Sequence, residues 1–88
     1  MSASENGALS AISPPQVRAA RGLLGWSQDR LAEASGVPKR TVVRLEVGEG
    51  IPQRRTVEAI RTALEAAGVI FVDENGEGPG VRLRKAAP

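Results

Sequence analysis

Neither cysteine nor histidine occurs anywhere in the 88 residues. Without cysteine there is no disulfide framework and no thiolate-held zinc. Without histidine there is no imidazole for a metal or for acid–base chemistry near neutral pH. These two absences exclude most small-enzyme chemistries, and neither a metal nor a cofactor is expected. Long apolar runs are missing too, since the longest, Val69–Val72, falls far short of the ~20 residues of a membrane span. The opening stretch MSASENGALSAIS has neither the basic start nor the apolar run of a signal peptide, so a cytoplasmic location away from membranes is expected. A chain of 88 residues has room for one domain with a small core. Such a domain buries only about 60 % of the surface its unfolded chain exposes.

Strong net charge is also absent, at +2, which alone would argue against a nucleic-acid partner. The distribution argues otherwise. Residues 14–48 carry six cations (Arg18, Arg21, Arg30, Lys39, Arg40, Arg44) against three carboxylates (Asp29, Glu33, Glu46), whereas residues 49–68 and 69–88 each balance three against three. A local basic face is compatible with the modest total.

What is present is helix punctuation. Residues 1–12, small and polar without a pattern, read as a disordered arm. Ser13, Pro14 and Gln16 then form a capping box with proline at the first helical position, and Val17, Ala20, Leu23 and Leu24 follow at helical spacing up to Gly25. Trp26 is expected to pack at the corner. Ser27 caps a second helix, QDRLAEAS, with Asp29 in its first turn, and Gly36 ends it. A third helix starts at Pro38 or Lys39 and runs to Val47. The connection before it is too short for an ordinary antiparallel bundle, so the two helices must cross steeply. Leu31, Ala32, Gly36, Val37, Val42 and Leu45 provide the small and apolar residues that such a crossing needs.

The third helix opens with Lys39, Arg40 and Thr41, two cations where the backbone dipoles already point positive charge outward. Each costs on the order of 0.3–1 kcal/mol at an exposed helix start, which calls for a compensating anion outside the helix. Arg44 lies three and four residues after Thr41 and Arg40 and so shares their side.

The stretch LLGWSQDRLAEASGVPKRTVVRLEVGEGIP is similar to the helix-turn-helix of lambda-repressor and Cro-type (XRE-like) regulators, over residues 14 to about 67. The resemblance implies a compact, mainly α, four-helix domain whose third helix lies in the major groove of double-stranded DNA, making the phosphate backbone the missing anion. It assigns base contacts to Lys39, Arg40, Thr41 and Arg44 and a phosphate contact to Gln28. It assigns a structural ion pair to Arg21 and Glu46, bracing the first helix against the end of the third. Two positions depart from the pattern. Pro38 replaces a capping hydroxyl and should lose one phosphate contact, and Val47 replaces a residue that is often polar.

A fourth helix is expected over Gln53 to Ala67, with Val57, Ile60, Ala63, Leu64 and Ala67 on its inner face and Gly68 as its stop; the domain thus covers residues 13–68. Arg54 and Arg55 at its start are expected to reach the DNA backbone. Residues 69–88 change period. Val69, Ile70, Phe71 and Val72, a glycine-rich loop, and alternating Val81, Arg82, Leu83 and Arg84 predict a C-terminal β-hairpin. Its open edges and the two-fold symmetry of operators predict a homodimer held through Val69, Phe71, Val81 and Leu83. The expected function is a non-catalytic transcriptional regulator, a repressor or autoregulator. The alternatives are an antitoxin-type protein that also neutralises a partner, and an interaction module that uses the fold without DNA.

Overall fold

The computed structural model describes residues 12–85, so the arm expected over residues 1–12 lies, except for Ile12, outside the described residues. Four helices, α1 (Pro14–Leu24), α2 (Gln28–Ser35), α3 (Lys39–Glu46) and α4 (Arg54–Ala66), are followed by strands β1 (Val69–Val72) and β2 (Gly80–Leu83). The architecture is therefore mainly α with a C-terminal hairpin, as the periodicity predicts.

Side-chain caps set the starts of α1 and α2. The Gln16 backbone N–H donates to Ser13 Oγ at 3.3 Å while the Ser13 N–H donates to Gln16 Oε1 at 2.8 Å, closing both halves of the capping box. The Arg30 N–H donates to Ser27 Oγ at 3.0 Å and so caps α2. Gly25 and Gly36 end α1 and α2 at φ 69° and 76°, a left-handed conformation that a side chain would strain. Helix α4 is one residue shorter at each end than expected, because Gln53 is still extended and serves as the N-cap while Ala67 is the C-cap.

All four helices and β1 contribute to a single core. Val17 and Ala20 of α1, Leu31 of α2, Val42 and Leu45 of α3, and Ile60 and Leu64 of α4 are buried together, with Val37 closing the α2–α3 turn. Full burial of each large aliphatic side chain stabilises the fold by about 1.5–3 kcal/mol. Trp26 is half-buried at the corner, with the Arg30 guanidinium 4.8 Å from its ring centroid.

The antiparallel hairpin pairs Val69 with Leu83, Ile70 with Arg82, Phe71 with Val81 and Val72 with Gly80. It packs against α1 and α4. Gln16 latches it in place, its side-chain amide donating to the Gly80 carbonyl at 3.0 Å and lying 3.5 Å from that of Val72. One side chain thus caps α1 and holds the hairpin. The docking corrects one expectation: Val69 and Phe71, assigned to an intersubunit contact, are only 1 % and 9 % exposed and belong to the chain's own core. Strand alternation correctly marks them as the apolar face, but the surface they cover is α1 and α4. Val81 packs beside them, and Leu83, 44 % exposed, sits at the rim.

Candidate nucleic-acid interface

The α2–α3 turn, Gly36 to Pro38, sets the direction of α3. The Gly36 N–H donates to the Ala32 carbonyl at 2.9 Å, and the Ser35 hydroxyl donates to the Leu31 carbonyl at 2.7 Å while accepting from the Val37 N–H at 3.2 Å. With the turn's polar groups satisfied locally, Val37 can insert into the core and Pro38 starts the next helix. The Pro38 carbonyl accepts from the Thr41 and Val42 N–H groups at 2.9 and 3.1 Å, but its side chain supplies no cap. The first turn of α3 therefore offers backbone donors without a side-chain acceptor, at the end where the helix dipole is positive.

Helix α3 has two distinct faces. Val42, Leu45 and Glu46 are buried, whereas Lys39, Arg40 and Arg44 are exposed and Thr41 is half-buried. The structure thus brings Lys39, Arg40, Thr41 and Arg44 onto the outside of one short helix. Lys39 Nζ lies 3.1 Å from Asp29 Oδ1, and Arg44 Nε lies 3.5 Å from Glu49 Oε1. Arg40 makes no ion pair among the described residues. Beyond α3, a groove of about 360 Å³ is bordered by Thr41, Arg44, Glu49, Ile51, Gln53 and Thr56. Ile51, at 97 % exposure, stands in solvent on the loop to α4. Arg54 pairs with Glu58 at 3.4 Å, and Arg55 is exposed with no ion pair among the described residues.

A buried polar cluster fixes the inner end of α3. Arg21 donates from Nε to Glu46 Oε2 at 2.6 Å, from Nη2 to Oε1 at 2.8 Å and from Nη1 to the Trp26 carbonyl at 2.9 Å. Arg18 donates to the Glu46 backbone carbonyl, placing a cation at the negative end of the α3 dipole. Burial pushes the Glu46 carboxyl up, but the hydrogen bonds from Arg21 and Gln28, with the charges of Arg21 and Arg18, outweigh it and hold the pKa below its ordinary value. The hydrogen bond to Glu46 raises the Arg21 pKa in turn, against the opposing effect of burial. No buried side-chain polar atom among the described residues lacks a partner.

Gln28 is part of this cluster. Its amide donates to Glu46 Oε1 at 3.0 Å, so the group expected on a phosphate is directed inward at the carboxylate. The reason is geometric: Gln28 opens α2 beside the end of α3, where Glu46 Oε1, already held by Arg21 Nη2, has a second lone pair to accept a nearby amide. Sequence reasoning also missed the partner roles of Asp29 and Glu49. Asp29 is explained locally by the α2 dipole, and Glu49 lies in a loop where no periodicity links it to Arg44.

Among the described residues no group of His, Cys, Asp or Glu side chains could hold a metal ion, and no helix is long and apolar enough to cross a membrane. A family model described as helix-turn-helix matches residues 17–66, the span from the inner face of α1 to the end of α4. A search of curated proteins returns no match.

Proposed function

The chain belongs to the helix-turn-helix family, and we propose that it is a sequence-specific DNA-binding transcriptional regulator of the lambda-repressor type. In this reading it acts in the cytoplasm as a repressor or autoregulator, without catalysis. Helix α3 enters the major groove, Lys39, Arg40, Thr41 and Arg44 face base edges, and Arg54 and Arg55 follow the phosphate backbone.

The observation that carries the reading is the outer face of α3, where Lys39 and Arg40 crowd a helix start that has no side-chain cap. Asp29 offsets the charge of Lys39 in part, but Arg40 has no carboxylate among the described residues, and an incoming polyanion relieves what remains. Arginine on guanine is the commonest specific base contact, and Arg40 is exposed on that face with no carboxylate to displace.

The test is selection of bound sequences from a random DNA pool, followed by gel-shift titration of the recovered site. A recovered consensus that out-competes random duplex supports the reading, and failure to enrich any sequence overturns it.

A homodimer on a palindromic site completes the proposal, since a single short helix reads only a few base pairs. The burial of Val69 and Phe71, with Val81 packed beside them, leaves Leu83 and the open strand edges as the surface for a second copy. Short strands with exposed edges favour such pairing. Size-exclusion chromatography with light scattering should give a dimer for the native chain and a monomer for Leu83→Glu. A native monomer at high concentration would remove the dimer from the proposal.

A further inference from the structure

The acidic residues beside α3 are as orderly as the basic ones on it. Asp29 reaches Lys39 from the first turn of α2, at one end of α3, and Glu49 reaches Arg44 from the loop at the other end. Both carboxylates lie outside α3, and between them Arg40 is left without a carboxylate partner among the described residues. Arg44 is turned back toward its own loop: a Cβ built on Gly50 would stand 3.6 Å from Arg44 Nη2. The contact to Glu49 is made through Nε, so the terminal nitrogens retain their donors.

We propose that Asp29 and Glu49 set the specificity of the DNA face, holding Lys39 and Arg44 back from the phosphate backbone so that loose, sequence-independent binding is weakened more than binding to the correct site. The proposal rests on the DNA-binding reading above.

Non-specific binding draws its strength from counterions released as cations meet phosphates, with a salt slope of about 0.9 per phosphate neutralised. A cation already facing a carboxylate releases less. To meet a phosphate it must also leave a negative side chain standing beside the DNA. Base edges impose a smaller penalty, because guanine N7 and O6 are neutral acceptors deeper in the groove. The terminal nitrogens of Arg44 can reach toward them while Nε stays near Glu49. The acids thus oppose contact with phosphate more than contact with bases, and their effect falls mainly on the wrong sequences.

The experiment compares the full chain with the double variant Asp29→Asn, Glu49→Gln. Fluorescence anisotropy is read across a salt series on two duplexes, the sequence recovered by selection and a random one. A control variant, Asp73→Asn with Glu77→Gln, removes the same charge from the hairpin loop. Single Glu49→Gln is measured as well, because Asp29 also favours the start of α2 and its loss could disturb folding. On random duplex the double variant should bind roughly tenfold more tightly, with a salt slope steeper by about 1.8. The selected site should gain less, so the ratio between the two duplexes falls, and Glu49→Gln alone should show about half of the change in slope. Equal gains on both duplexes, or an equal gain from the control, would overturn the proposal by reducing it to net charge. An unchanged slope would overturn it too. If native chain and variants alike bind neither duplex at low salt, the DNA-binding reading itself fails.

Discussion

Two sets of cation–carboxylate pairs lie within a few residues of each other around α3, and burial makes them different objects. On the inner face, the side chains of Arg21 and Glu46 are 20 % and 2 % exposed, with both carboxylate oxygens held by the guanidinium. At the exposed start of the helix, Lys39 and Asp29 are 56 % and 73 % exposed and share a single contact. Losing one member of the inner pair strands the other's charge where water has little access, whereas the outer pairs can part with both members still in solvent. For a helix proposed to meet DNA, the inner pair fixes it to its domain and the outer pairs keep its cations at the surface.

The strongest way to break this comparison is Glu46→Ala. It leaves the Arg21 guanidinium with the Trp26 carbonyl alone and the Gln28 amide without its acceptor, and removing one member of a buried pair costs roughly 3 kcal/mol or more. A domain of this size should then melt about 12–24 °C lower, read by circular dichroism. An unchanged midpoint would make the inner pair equivalent to the outer ones.

Arg40→Ala tests the other face. Affinity for the selected site should fall by about 1–3 kcal/mol if Arg40 reads a base. The thermal midpoint should stay near that of the native chain, since surface substitutions away from special features usually shift stability by less than about 0.5 kcal/mol. Gel shifts and thermal melts on the same sample separate the two effects, and a loss of stability to match the loss of binding would blur the division between faces.

Acid sharpens the comparison without deleting an atom. The Glu46 carboxyl is held below its ordinary value of 4.5, so its contribution is fully present above that pH and is lost as pH falls through the lower, folded-state value. The stability gap between the native chain and Glu46→Gln should therefore be flat from neutrality to about pH 5 and close in stronger acid. Urea titrations at several pH values measure it, and a gap that widens in acid would reverse the assignment.

The smallest effect is expected from Lys39→Met. Loss of an exposed pair costs about 0–1 kcal/mol, and removing a cation from the start of a helix returns a similar amount. Thermal melting should move by only a few degrees and still less in high salt, where such pairs are screened. A shift as large as that of Glu46→Ala would show that the outer pair braces the fold as well.

The fold was legible where local chemistry decides it. Ser13, Ser27, Gly25 and Gly36 mark helix ends because caps and left-handed turns depend on a few adjacent residues, and each lies where those signals place it. The hairpin followed from alternation, but alternation does not say what an apolar strand face covers. That is why Val69 and Phe71 were assigned to a partner when α1 and α4 already supplied the surface. Gln16 was readable as a capping residue, yet its bond to Gly80 spans 64 positions and has no local signature. On the candidate site, the positions of the cations on α3 could be read from helical spacing. The acids facing them could not, because that depends on how far side chains reach across a turn and a loop.

The Gln16 latch has a consequence for how the chain opens. Strands of four residues each are marginal alone and borrow their order from whatever holds them. Since a single amide both closes the first turn of α1 and grips the Gly80 carbonyl, fraying at the start of the domain and release of its last strand are one cooperative event. Amide protons of β1 and β2 should therefore exchange with solvent through the same opening as those in the first turn of α1. In sequence the hairpin is the last of the described elements; the latch ties its opening to that of the first helix.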